Sequence, residues 1–193
     1  DSRKVEKGSA FVCISGAVVD GHEFIEDVAA KGAAAVIVEK EVEAPEGVTV
    51  IRVEDTRYAL ALMSAAYFGY PAEKLKVIGI TGTKGKTTTT YMIKSILEKA
   101  GHKVGLIGTI ANYVGDKCIS ESSRTTPESL ELQKYFALMA RENVDYVVME
   151  VSSQALKLHR VDGVEFDYAI FTNLYKDHIS QKEHPDIEDY FAS

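Results

Sequence analysis

The sequence predicts an α/β protein: a small N-terminal α/β domain followed by a P-loop domain with a mainly parallel sheet. Three observations carry this. Residues 76–100, KVIGITGTKGKTTTTYMIKSILEKA, run from an apolar strand (Val77, Ile78, Ile80) through a glycine-rich turn into a helix-like stretch, where Met92, Ile93, Ile96, Leu97 and Ala100 recur at helical spacing. Strand-like and helix-like segments alternate on both sides of that turn, the pattern of βαβ units. Gly69 and Pro71 break the chain between two such blocks, which gives domains at 1–74 and 75–193.

At 193 residues, 46% hydrophobic and 26% charged, the chain has ample material for a packed core and the charge of an ordinary soluble protein. No apolar run approaches the roughly 18 residues that span a membrane, and the start lacks a basic, apolar, small-residue leader, so a cytoplasmic protein is expected. A net charge of −7 argues against a general nucleic-acid binder; anionic small ligands would be held by local charge, with Lys84, Lys86, Arg124 and Arg160 as candidates. Cys13 and Cys118 sit in strand-like runs without metal or redox spacing and read as buried thiols.

The opening, DSRKVEKGSAFVCISG, reaches a strand at Phe11–Ile14 within a few residues and looks like the middle of a domain. Ser2 and Arg3 read as surface residues, and Asp20 and His22 as turn residues. Phe24, Ile25, Val28 and Ala29 begin a helix that Gly32 ends. Strands follow at Ala35–Val38 and Val48–Val53. Asp55 then caps a helix carrying Ala59, Leu62, Met63, Ala66 and Tyr67 on one face. Past the glycine-rich turn, Lys103–Thr109 forms a second parallel strand, Tyr113–Ile119 a small hairpin, and Thr125 or Thr126 caps a helix with Pro127 in its first turn and Leu132, Phe136, Met139 and Ala140 on one side. Asp145–Val151 and Phe166–Phe171 are two more buried strands.

The turn Gly82-Thr83-Lys84-Gly85-Lys86-Thr87 lies at a strand-to-helix junction, where glycines admit an anion to backbone N–H groups and the helix dipole favours negative charge. Lys86 can reach β/γ-phosphates and the Thr87 hydroxyl can ligate Mg²⁺; the plain alternative is a glycine-rich helix cap. Glu150 ends a strand, where ionised burial without a partner costs several kcal/mol. A metal is its natural partner, and a half-exposed strand acid is the other reading. Asp177 and His178, after the last strand, reach the same rim, with His178 either a surface or capping residue or a ligand.

Glycine is absent at position 80, so the motif is the shorter G-T-x-G-K-T with a threonine run behind it. That form resembles the ATP loop of the Mur ligase and folylpolyglutamate synthetase superfamily. DSRKVEKGSAFVCISGAVVDGHEFI, the loop with GHKVGLIGT, TTPESLELQ, VVMEVSSQAL with HRV, and FDYAIFTNLYKDH together resemble the MurE-type Mur ligases of peptidoglycan synthesis, over essentially the whole chain. The resemblance implies a three-domain enzyme, represented here by most of its uridine-nucleotide domain (incomplete at its start) and the first half of its ATPase domain (incomplete at its end).

Carried over by residue, it puts Gly82, Thr83, Lys84, Gly85, Lys86, Thr87 and Thr88 on ATP, Thr87, Glu150 and His178 around Mg²⁺, and Lys86, Glu150 and His178 in catalysis. Ser2 and the loop after Gly16 fall on the uridine diphosphate sugar, and Thr125, Thr126, Ser152 and Arg160 on the rest of that substrate. The chain departs from the family at Lys84 (usually Asn), at Gln154 (usually His), and after His178 in ISQKEHPDIEDY; it stops at Ser193, just before a lysine that the family carbamylates. The implied activity is ATP-dependent amide formation on a UDP-N-acetylmuramoyl-peptide through an acyl phosphate, with no protein nucleophile, which agrees with the lack of an obvious Ser-His or Cys-His pair. A folylpolyglutamate-synthetase-like ligase and a nucleotide-binding module inactive as a fragment are the alternatives. The expected partners are small molecules only, with no nucleic acid and no membrane, and the expected state is a monomer.

Overall fold

The computed structural model describes residues 1–16, 19–177, 179–180 and 183–193, arranged in two compact units, Asp1–Leu60 and Ala61–Ser193. No helix among the described residues is long and apolar enough to cross a membrane.

In the first unit β1 (Ala10–Val12), β2 (Ala35–Val38) and β3 (Thr49–Arg52) form a parallel sheet in that order, with Phe11 beside Val36 and Val36 beside Val50. Parallel neighbours need a crossover, and α1 (Ile25–Ala30) supplies the first. Ile25 and Val28, one turn apart, pack with Phe11, Cys13, Val36 and Val38. Burial pushes the Cys13 thiol up to about 11, as suits an inert core cysteine.

His22 does lie in a turn, but it is buried. Its Nδ1 lies 2.6 Å from Asp20 Oδ1, and its Nε2 accepts the Glu39 amide at 3.3 Å. Glu39 in turn accepts the hydroxyls of Ser15 (2.6 Å) and Thr56 (2.8 Å). Lys40 and His22 hold the Asp20 carboxyl well below the usual carboxylate range.

The helix α2 (Thr56–Tyr67) is capped by Asp55, whose Oδ1 accepts from the amides of Arg57 and Tyr58. Its predicted face is wrong. Ala61, Ser64 and Ala65 are buried, whereas Leu62, Met63 and Tyr67 are exposed. Small residues win because the backbone at Gly163 comes so close that a Cβ there would lie 3.0 Å from the Ala65 methyl.

The second unit runs β4 (Lys76–Thr81), α3 (Lys86–Lys99), β5 (Val104–Ile107), β6 (Ala111–Val114), β7 (Lys117–Glu121), α4 (Ser129–Arg141), β8 (Tyr146–Glu150), α5 (Ser153–Lys157), β9 (Tyr168–Phe171) and α6 (Ile187–Ala192). Its six strands lie in the order β7-β6-β5-β8-β4-β9. β5, β8, β4 and β9 are parallel, and β6 and β7 form the antiparallel hairpin. Side chains alternate along the strands, so the two sheet faces take different partners. Val77, Val147 and Met149 meet Leu132, Phe136 and Met139 of α4; Ile78, Ile80 and Val148 meet Ile93 and Leu97 of α3.

Phe136 is fully buried at the centre of the larger cluster. Replacing it by alanine is expected to cost about 3–5 kcal/mol, read as a lower urea midpoint. A loss under about 1 kcal/mol would mean that the site closes over the gap.

Four further expectations need correction. Met92 and Ile96 on α3 are 62% and 67% exposed, because only Ile93 and Leu97 of the apolar set point at the sheet. Cys118 is exposed, since β7 is an outer strand. β9 is the opposite edge, bonded to β4 alone, and Tyr168 and Phe171 are 58% and 60% exposed where a buried strand is predicted. Neither Thr125 nor Thr126 caps α4: the cap position is Glu128, and its side chain makes no capping bond.

Candidate functional site

The carboxyl ends of β4, β8 and β5 and the exit of β9 meet at one rim, where open α/β sheets bind ligands. β4 passes into the loop through Gly82 (φ +128°), and Gly85 (φ +87°) leads into α3 in a left-handed conformation that glycine adopts without strain. A side chain at residue 82 is excluded, because its Cβ would lie 2.2 Å from Thr172 Oγ1.

The loop is bonded to the turn after β9. The Thr83 amide donates to Asn173 O and the Lys84 amide to Asn173 Oδ1, both at 3.0 Å, while Thr172 Oγ1 and Asn173 Nδ2 donate to Lys84 O. The Thr83 hydroxyl takes the Tyr175 amide and meets Tyr190 OH at 2.9 Å. Thr83 and Lys84 therefore spend their amides on shaping the loop. The first bond within α3 runs from Thr89 N to Gly85 O, so the amides of Lys86, Thr87 and Thr88 have no helical acceptor and open on the rim.

Lys86 curls back, with Nζ donating to Gly82 O (2.5 Å) and Thr83 O (3.2 Å). Burial lowers its ammonium pKa from the usual lysine value, against the opposing pull of the Glu150 and Asp177 carboxylates.

Glu150 is 1% exposed at the tip of β8. Its Oε2 accepts the hydroxyls of Thr87 (2.8 Å) and Thr109 (3.1 Å), and its Oε1 accepts the Thr109 amide (2.8 Å). Gly108 makes room for it, since a Cβ there would lie 2.4 Å from Oε1. A carboxylate and a threonine hydroxyl, hard oxygens in contact beside the glycine-rich loop, are a donor set that fits Mg²⁺, a cation that takes few protein ligands and keeps its waters. His178, the third residue of that expected set, lies outside the described residues, as do Ala17 and Val18 of the loop after Gly16. Among the described residues no group of three or more His, Cys, Asp or Glu converges to hold a metal.

A cleft of about 400 Å³ opens beside the loop, lined by Gly82, Lys86, Thr125, Ser152, Ser153 and Arg160 among others. Thr126 lies beneath: its hydroxyl donates to Glu150 O (2.9 Å) and accepts the Ser152 amide (3.0 Å), tying the end of β8 to the segment before α4. Ser152 caps α5 through the Ala155 amide. Arg160 is buried, with NH1 donating to Thr126 O and Nε 3.2 Å from Glu128 Oε1. Of the predicted substrate residues, Thr125, Ser152 and Arg160 thus share one cleft with Lys86. Ser2 belongs to the first unit, half-buried in a 3₁₀ turn, with its carbonyl accepting from Lys31 Nζ at 3.1 Å.

Sequence reasoning missed Thr109, Asn173 and Tyr190. The first two lie two residues beyond strands that end on the rim, and that position is the available signal. The sequence shows no obvious Ser-His pair, but the fold makes one: Ser153 Oγ lies 2.8 Å from His184 Nε2.

Residues 80–193 match the family model of the Mur ligase middle domain, and residues 1–68 match that of the Mur ligase family, catalytic domain. The chain is 56% identical, over 99% of its length, to the UDP-N-acetylmuramoyl-L-alanyl-D-glutamate–2,6-diaminopimelate ligase of Clostridium perfringens, and 57% identical, over all of it, to that of Clostridium botulinum. It spans 39% and 40% of those relatives. A solved structure of an enzyme with the same name superposes with a TM-score of 0.80 at 28% identity, covering 98% of this chain and 38% of the other.

Proposed function

The chain belongs to the Mur ligase family, and from that premise we propose that the whole protein joins an amino acid to UDP-N-acetylmuramoyl-L-alanyl-D-glutamate at the expense of ATP. The incoming amino acid is 2,6-diaminopimelate, a choice supported by the names of relatives more than 50% identical. Residues 1–74 serve the uridine nucleotide, with Ser2 among the contacts, and residues 75–193 serve ATP. The protein acts in the cytoplasm as a monomer on small molecules.

The observation that carries this reading is that Lys86 lines one cleft with Thr125 and Arg160, while Thr87, next to Lys86 in the chain, is bonded to Glu150. The peptide carboxylate attacks the γ-phosphoryl group of ATP, the bond to the β-phosphate breaks and ADP leaves, giving an acyl phosphate; the amine then adds to the acyl carbon and loses a proton as phosphate departs. Positioning and charge neutralisation do the catalytic work. The open amides of α3 and the Lys86 ammonium face the phosphoryl oxygens. Arg160, held by Thr126 O and Glu128, presents a fixed cation to the anionic peptide end. Thr87 and Glu150 would hold Mg²⁺, which supplies Lewis-acid charge at the phosphates.

The test is phosphate release by the full-length protein. It should require ATP, the nucleotide-sugar dipeptide and diaminopimelate together, and lysine in place of diaminopimelate should be a poor substitute. Release that ignores the dipeptide, or that follows a pteridine substrate instead, would refute the reading.

A further inference from the structure

Ser153, His184 and Asp189 form a hydrogen-bonded chain that the proposed phosphoryl chemistry does not use. Ser153 Oγ is 2.8 Å from His184 Nε2, and His184 Nδ1 is 2.6 Å from Asp189 Oδ2. His184 has no exposed surface, and Asp189 also takes Lys157 Nζ at 2.6 and 2.8 Å. Lys157 and then His184 hold the Asp189 carboxyl below the usual range.

This arrangement fixes a direction. An ionised carboxylate only accepts, so His184 Nδ1 carries a proton toward Asp189, and in the tautomer protonated at Nδ1 alone Nε2 offers a lone pair. Ser153 must give its hydroxyl hydrogen to that lone pair. Its oxygen then presents only lone pairs elsewhere: it can accept from an N–H and has nothing to donate to a phosphate or carboxylate.

Position gives the direction its meaning. Ser153 is half-buried and lines the cleft of about 400 Å³ together with Lys86 and Arg160. With Gly82 and Tyr190 it also lines a smaller adjoining cleft of about 220 Å³. In the ligase reading, on which this inference rests, the cleft that Lys86 and Arg160 line together is where the acyl group meets its amine.

We propose that Ser153 contacts substrate by accepting a hydrogen bond from an N–H group, the amine of the incoming amino acid or an amide of the nucleotide-sugar peptide, and that His184 and Asp189 are positioning residues that impose this polarity. The test is steady-state kinetics of the full-length protein, varying ATP, UDP-N-acetylmuramoyl-L-alanyl-D-glutamate and diaminopimelate one at a time. Ser153→Ala should raise one KM about tenfold, the worth of one hydrogen bond, with the KM for ATP within about twofold of wild type. A rise in the diaminopimelate KM identifies the amine as the donor, and a rise in the dipeptide KM identifies the peptide amide. Ser153→Thr, which keeps the hydroxyl, should restore the value, and His184→Gln and Asp189→Asn should reproduce the selective rise.

Unchanged KM values in Ser153→Ala, or a rise confined to ATP, would overturn the proposal. So would His184 and Asp189 variants that lower the melting temperature with no selective change in KM. A wild-type protein that ligates nothing brings down the ligase reading and this proposal together, so the two failures look different.

Discussion

Lys86→Ala in the full-length protein is expected to lower kcat by about a thousandfold or more, the scale of losing a preorganised charge aimed at a transition state in a partly dry site. Lys86 is half-buried, and among the described residues its amine donates to the carbonyls of Gly82 and Thr83. Those carbonyls can be hydrated once the side chain is gone, so the fold should survive, with a melting temperature close to wild type. Arginine should not rescue, because its planar fork cannot occupy the space of a point ammonium folded against the loop. Near-normal ligation by Lys86→Ala would refute the assignment of this loop to the transferring phosphate.

Glu150→Gln should have the second-largest effect, a fall in kcat of about a hundredfold or more with the protein still folded. Glutamine keeps the shape and can still accept the Thr109 amide, while the hydroxyls of Thr87 and Thr109 can rotate to accept from its NH₂. Only the charge is lost. Half-saturation should therefore move to higher magnesium concentration, and a titration of activity against the metal reads that shift. Glu150→Ala is the poorer probe, since it strips the partner from the Thr109 amide as well. Full activity of Glu150→Gln at wild-type magnesium would show that the carboxylate only pins the strand end.

What the sequence disclosed was local or periodic. The loop from Gly82 to Thr87, the strand before it and the helix after it are contiguous, and their chemistry requires glycine, lysine and threonine at fixed offsets. Glu150 could be found because an acid closing an apolar strand is costly without a partner, and it is in fact 1% exposed with three donors on it. Features set by distant partners were not legible. The face of α2 follows the close approach at Gly163, nearly a hundred residues away, and hydropathy favours the wrong side. His22 reads as a turn residue until Glu39 closes over it. Thr126 looks like a helix cap, yet its hydroxyl goes to β8, which a one-dimensional capping rule cannot anticipate. Ser153 and His184 are 31 residues apart, with no shared period to pair them.

The bonds from Thr83 and Lys84 to Thr172 and Asn173 make the cradle and the exit of the edge strand a single rigid body. Under the proposed function, a nucleotide arriving there would meet a receptor already set in shape, so little of its affinity would be consumed in taming a floppy segment. The same stitching carries Tyr175, whose amide donates to the Thr83 hydroxyl, so the chain leaving the edge strand is tied to the loop at a second point.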